Sequence, residues 1–241
     1  VLNVAYYPQE RGPYNFDTWP GSYSAGISPE GLLNNPASRW GGIMREIITS
    51  DFEAANIQYI KFWLMDPFVE NPDHEGGDLY INLGNISEDI LKDSRKSFEH
   101  GLPGSGNLIN IDTTAWGRVP TVQAVVNAFD NDPTSRAYQD VGFDGLRNED
   151  ERSFFSDYLQ KTQAIVNPDS YQNILDDPSG DDFHYFRGTD YDENEVGIVD
   201  RYKQYNGQDQ NSPTAEMSPE SYPTSGSTLP DMEDINRDNT L

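Results

Sequence analysis

The sequence predicts a β-rich α+β protein: a jelly-roll-like β-sandwich core with short helical insertions and long irregular loops. Three observations predict it. First, the densest apolar segment, Asp51 to Phe68 (DFEAANIQYIKFWLMDPF), places Ile57, Tyr59, Lys61 and Trp63 on one parity and Ile60, Phe62 and Leu64 on the other. Both faces of the extended chain are then largely apolar, as in a central strand buried on both sides, and Asp66-Pro67 closes the run. Second, Asp78 to Leu83 (DLYINL) follows across the polar turn Glu70 to Gly77, which makes a hairpin. Third, 14 Tyr and 11 Phe accompany a modest apolar share, a balance that suits sheets with polar loops better than a helical bundle. A buried helix competes for 57–64, but no 3.6-residue stripe separates apolar from polar positions there. In the strand reading Trp63 is a core residue, and Trp63→Asp costs roughly 3 kcal/mol or more.

The other elements follow in order. Tyr6-Tyr7-Pro8, Gly12-Pro13-Tyr14, Pro20-Gly21 and Pro29-Glu30-Gly31 punctuate an irregular first fifty residues. Asn35-Pro36-Ala37 starts a short helix through Met44, weakened by Gly41-Gly42. Trp19 and Trp40 read as packing anchors. Ser87 followed by Glu88 and Asp89 caps one helical turn. Leu108 to Ile111 is a further strand candidate. Val122, Val125, Val126 and Phe129 stand at i, i+3, i+4 and i+7, the spacing of a short amphipathic helix. A clearer helix begins at Asn148, where Asn148-Glu149-Asp150-Glu151 resembles a capping box and Phe155, Tyr158 and Leu159 form the apolar face. Gly207 to Pro230, rich in Ser, Thr, Pro and Gln, reads as linker, and no repeat recurs at a fixed period. The expected organisation is a sandwich portion over 1–112, a helical and acidic loop insertion over 113–205, and a linker over 206–241. Because strands before Asp112 are few for a closed sandwich, strands beyond Leu241 are expected to complete the sheet.

Charge excludes several functions. The chain has 41 acids against 16 Lys and Arg, a net charge of −25. Nucleic acid and anionic lipid surfaces both require basic protein, so neither is an expected partner. An acidic surface fits solubility, divalent cations or a basic partner. No apolar run approaches the roughly 20 residues of a membrane helix. The strand-like opening VLNVAYY carries no signal peptide and suggests a piece of a longer protein. With no Cys, neither a disulfide framework nor a thiol nucleophile is available.

The best motif for chemistry is Asp140 to Glu151, DVGFDGLRNEDE, set against the calcium-loop pattern D-x-[DN]-x-[DN]-G-x5-E. Asp140 takes position 1, Asp144 position 5, Gly145 the sharp turn, and Glu151 the bidentate position 12. Leu146 offers its carbonyl at position 7, and Asn148 ligates directly or through water at position 9. Two residues depart from the pattern: Gly142 stands where position 3 needs an oxygen ligand, and Arg147 where an apolar residue is usual. No entering helix is expected to lead into the loop, since Asp132-Pro133 interrupts the segment before it. The competing reading is a Gly-rich turn capping an acidic helix. Asp234, Asn236 and Asp238 start a second, half-length loop with oxygens at positions 1, 3 and 5. A structural calcium is therefore the expected cofactor. Asp190, Asp192, Glu193, Asn194 and Glu195 read as a solvated acidic loop. No catalytic constellation stands out: His74, His100 and His184 are isolated, and Ser153 lacks a nucleophile elbow. The expectation is a protein that is not an enzyme.

The chain also carries words of a known family. AYYPQERGPYNF, RWGGIMREI, DFEAANIQYIKFWLMDPF, GGDLYINLGNISEDILKD, QDVGFDGLRNEDE, LDDPSGDDFHYFRG, RYKQYNG and LPDMEDINRDNTL, in this order, are similar to stretches of the SprA/Sov family. That family forms the outer-membrane translocon of type 9 secretion and supports gliding motility. The resemblance covers essentially the whole chain. It implies a non-catalytic extramembrane segment carried by a large outer-membrane barrel, with other translocon components and exported cargo as partners. The membrane is reached only through the barrel of the full-length protein, and the side of the outer membrane is open. The rival expectation is a carbohydrate-binding or adhesive surface module with a structural calcium, using Trp19, Trp40, Trp63 and Trp116 on a sandwich face.

Overall fold

A computed structural model of the chain describes residues 4–49, 51–64, 69, 72–74, 76–96, 102–122, 129–130, 132–136, 138–139, 141–182, 189–203 and 232–241. A 3₁₀ turn at Pro36–Ser38 precedes a short antiparallel pair, β1 (Ile111–Thr113) and β2 (Arg118–Pro120). Among the described residues six helices follow: α1 (Pro133–Arg136), α2 (Asn148–Phe154), α3 (Ser156–Gln163), α4 (Pro168–Asp176), α5 (Thr189–Glu193) and α6 (Ile198–Arg201). The chain divides into two compact units, one of 1–41 with 88–241 and one of 42–87. All the named elements lie in the first.

Local chemistry accounts for the helices. In α4, Asn167 caps the first turn by accepting the Ser170 N–H at 2.9 Å, Pro168 fills the first position, and Asp169 sits where the helix dipole favours an acid. α2 opens with Glu149, Asp150 and Glu151 in its first turn, and it starts at Asn148 as the sequence leads one to expect. Asn148 is the first helical residue, however; Arg147 holds the cap position and makes no side-chain cap bond. Phe155, Tyr158 and Leu159 turn inward as expected, joined by Ile27, Leu33, Leu146, Val166 and Ile174 in one core cluster. Phe16 stacks on Phe155 at 4.6 Å between ring centres and meets Tyr158 edge-on at 5.2 Å. Each such buried side chain contributes about 1.5–3 kcal/mol relative to exposure, and this cluster holds the first unit together.

There is no β-sandwich among the described residues. Among the described residues the ladder is β1 with β2, pairing Ile111 with Pro120, Asp112 with Val119 and Thr113 with Arg118, plus one isolated bridge between Ile27 and Leu33. The structure is mostly short helix and loop. Residues 57–64 and 78–83, expected as a buried hairpin, have no strand, and Tyr59, Phe62, Leu64, Leu79 and Tyr80 are all well exposed. Alternating apolar residues report a segment that gains by burial; they do not supply the neighbouring strands that would bury it. Trp63 is fully exposed, at 102 %, so Trp63→Asp is expected to move the unfolding free energy by no more than about 0.5 kcal/mol. A thermal midpoint lowered by many degrees would show that Trp63 is buried after all.

Smaller expectations also shift. The helix proposed from Pro36 to Met44 is only the three-residue turn, because Arg39 already has extended backbone. Trp19 and Trp40 are exposed rather than packed. Ser87 to Leu91 forms no helical turn; Asp89 instead folds a tight loop. The strand expected over Leu108 to Ile111 begins at Ile111. The helix expected over 122–129 and the linker of 207–230 fall largely or wholly outside the described residues.

Candidate metal centre

One loop design recurs in the first unit. Asp177 accepts the N–H groups of Gly180 at 2.8 Å and Asp181 at 3.1 Å on one carboxylate oxygen, and that of Asp182 at 3.4 Å on the other. Gly180 supplies the left-handed residue, φ +75°, that the reversal needs. Asp89 does the same for the N–H groups of Asp93 and Ser94, with Lys92 at φ +54°. Asp234 does so for Asp238 and Asn239, with Arg237 at φ +59°. In each case an aspartate locks a reversal and a second aspartate stands four residues on.

The 177–182 loop brings Asp181 back against α2. There Asp144, Glu151 and Asp181 offer carboxylate oxygens that lie within 4.8 Å of one another. Their residues are 4 %, 0 % and 1 % exposed. Each carboxylate has one oxygen held by backbone amides: Asp144 Oδ1 accepts from Leu146 N at 2.8 Å, Glu151 Oε2 from Ser179 N at 3.0 Å, and Asp181 Oδ2 from Phe143 N at 2.7 Å and Asp144 N at 3.2 Å. The other oxygen of each, Asp144 Oδ2, Glu151 Oε1 and Asp181 Oδ1, is buried with no hydrogen-bond partner of good geometry, and the Ser179 hydroxyl, also without one, lies near enough to Glu151 and Asp181 to offset part of their rise. Burial and mutual repulsion push all three acids up. Burial first, then Asp181, raises Glu151 to about 9; burial, then Asp177, raises Asp181 to about 7; burial, then Asp181 and Glu151, holds Asp144 well above the usual carboxylate range. Asp182, at the rim, is pushed up to about 6 by burial and then Asp177, while Asn148 Nδ2 donates to it at 2.7 Å.

Two glycines make this convergence possible. A Cβ on Gly142, φ +88°, would stand 2.5 Å from the Asp181 carboxyl carbon. One on Gly117, φ +136°, would stand 2.1 Å from the Asp144 carbonyl oxygen, which accepts the Arg118 N–H. Gly145, at φ +67°, is the sharp turn expected from the motif.

A second group, Asp89, Asp93 and Glu233, also brings carboxylate oxygens within 4.8 Å. It lies where the 89–94 and 234–239 loops clasp each other. Glu88 Oε2 accepts the Ile235 N–H at 3.0 Å and Glu233 Oε1 the Leu91 N–H at 3.0 Å, a reciprocal grip. Buried Lys96 reaches Asp234 Oδ2 at 2.6 Å and Asn239 Oδ1 at 2.6 Å. Tyr14 senses both groups: burial, followed by Asp181, Asp144, Glu233 and Asp93, raises its pKa well above the ordinary value.

Residues 157–241, from within α3 to the last residue, match the family model SprA_N, described as motility related/secretion protein. That segment is similar to the SprA family. No curated protein and no solved structure matches. The SprA-family match includes the Asp177 loop, Asp181 and the 234–239 loop, while Asp144 and Glu151 precede it. No helix among the described residues is long and apolar enough to cross a membrane.

Of the residues expected to ligate calcium, the structure brings together Asp144 and Glu151. Asp140 lies outside the described residues. Leu146 is buried and donates its N–H to Asp144, and Asn148 is committed to Asp182. Asp234, Asn236 and Asp238 spend oxygens on their own loop amides, and Asp234 also faces the Lys96 ammonium. In the stretch expected to be an acidic loop, α5 forms and Asp192 pairs with Arg201 at 2.8 Å. Asp181 was not legible as a partner of Asp144, although the run LDDPSGDD, two acid pairs around Pro-Ser-Gly, marks a tight acidic reversal.

Proposed function

We propose that this chain is a non-catalytic extramembrane segment of an outer-membrane protein-translocation channel, supporting type 9 export and gliding motility. The observation that carries the reading is the SprA_N match over 157–241, a family described by motility and secretion. The net charge of −25 supports a basic face on a translocon component or on exported cargo as the partner. The three raised carboxyls do not argue for an enzyme, because Asp144, Glu151 and Asp181 are all buried away from a substrate's reach. The carbohydrate-binding alternative called for aromatics aligned on a sandwich face. Trp19, Trp40 and Trp63 are exposed, but no sandwich aligns them, and Trp116 packs edge-on against Tyr14 at 5.6 Å.

The test is genetic. In a gliding bacterium that carries this chain in its own full-length protein, residues 88–241 are deleted in frame. Cargo release and colony spreading are expected to fall together while the protein is still made. Undiminished export and spreading would remove the proposal. Photo-crosslinking from Trp40, which is well exposed, is expected to capture a translocon component or cargo.

A further inference from the structure

We propose that Asp144, Glu151 and Asp181 together bind one divalent cation, calcium, through the three carboxylate oxygens that have no hydrogen-bond partner of good geometry. The site does not depend on the secretion reading. Its donor set differs from a loop-only calcium motif: two ligands come from the 140–151 segment and the third from the loop after α4. The space beside Gly142, at the position where the loop pattern wants a ligating side chain, is filled by the Asp181 carboxyl instead. The missing ligand of the motif is thus supplied from elsewhere in the chain.

Geometry and chemistry agree on the class of ion. Two oxygens bound to one calcium at its usual ligand distance are at most about 4.6–5.2 Å apart, and the three here fall within 4.8 Å of one another. Backbone amides fix one oxygen of each carboxylate, so the free oxygens are aimed before any ion arrives. All three are hard oxygen donors, and no His or Cys stands among them, which disfavours zinc and softer metals. Magnesium keeps several waters in its shell, and a group this deeply buried leaves little space for them. Nor does the protein neutralise the group itself. Among the described residues no Lys or Arg forms an ion pair with any of the three. Arg11, beside this loop, donates to the carbonyls of Asp177 and Pro178. The neighbouring clasp shows the contrast, because there Lys96 meets the buried Asp234.

The experiment compares the whole chain and three variants, Glu151→Gln, Asp181→Asn and Asp192→Asn, after removal of metal with chelator. In wild type, calcium at a hundredfold above its Kd is expected to raise Tm by roughly 5 °C, with magnesium giving less. Glu151→Gln and Asp181→Asn are expected to abolish the rise, and Asp192→Asn, on exposed α5, to keep it. Each of the first two replaces a buried acid by a neutral isostere, so both are expected to fold in chelator. Terbium titrated into the wild-type chain provides a second readout: tyrosine-sensitised emission is expected, through Tyr14 beside the acids, and calcium is expected to quench it. An increment retained by Asp181→Asn would overturn the three-carboxylate site in favour of a loop-only one. No calcium-dependent Tm rise up to about 10 mM, together with no terbium emission, would overturn cation binding altogether.

Discussion

Gly117→Ala is expected to destabilise the chain by roughly 3 kcal/mol or more, the larger of two effects the structure leads one to expect. The added methyl would stand 2.1 Å from the Asp144 carbonyl oxygen and 2.8 Å from its Cβ, and the backbone φ of +136° is one that L-residues avoid. Overpacking of this kind costs about 1–3 kcal/mol and a forced backbone a further 1–3. The hydrogen bond from Arg118 N to the same carbonyl, at 2.6 Å, leaves β2 little room to retreat. Because Asp144 must move, calcium should also bind more weakly. Urea unfolding is the measurement, with midpoint and slope read together. A midpoint equal to wild type would mean that β2 does not press on Asp144 as described.

The second large effect is at Lys96. Lys96→Met is expected to cost about 3 kcal/mol, because it strands Asp234, only 1 % exposed, without its ion-pair partner. The Asp238 and Asn239 amides still bond to that carboxylate, which keeps the loss at the low end for a broken buried pair. Adding Asp234→Asn should recover much of the loss, since the charge that needed Lys96 is then gone. A double-mutant cycle in urea checks this. Strictly additive losses would show that the two side chains do not depend on each other.

What could be read from the sequence follows the range of the forces involved. α2 beginning at Asn148 and the inward face of Phe155, Tyr158 and Leu159 were legible, because acids in a first turn and a helical stripe are local signals. Asp144 and Glu151 were legible as a pair for the same reason, lying in one loop-and-helix word. Asp181 was not: its approach depends on how α3 and α4 fold back, and nothing in the local spacing encodes that. The hairpin over 57–64 and 78–83 failed in the opposite way. Its apolar alternation is real, but a strand exists only with a partner, and the described residues provide none. The repeat was missed because it is short and irregularly spaced. EDILKDS at 88–94 and EDINRDN at 233–239 share their acids, isoleucine, basic residue and second aspartate. They fold into matching loops, and a search for a fixed period does not find two copies.

The reciprocal grip of these two loops has a consequence for how the chain is made. Glu88 and Ile235 are 147 residues apart, and Leu91 and Glu233 are 142 apart. Loop-closure entropy grows only slowly, about 0.6 kcal/mol per doubling of length, so span alone does not forbid the contact. Timing is the stricter constraint. At about 5–20 residues per second, a nascent chain needs on the order of ten seconds after Lys96 appears before its partners emerge. Throughout that interval Lys96, Glu88 and Asp93 are in water, and the clasp has only one half. Closure therefore reports that the intervening chain has been delivered in full, and a truncation before Glu233 leaves the first loop permanently without its counterpart.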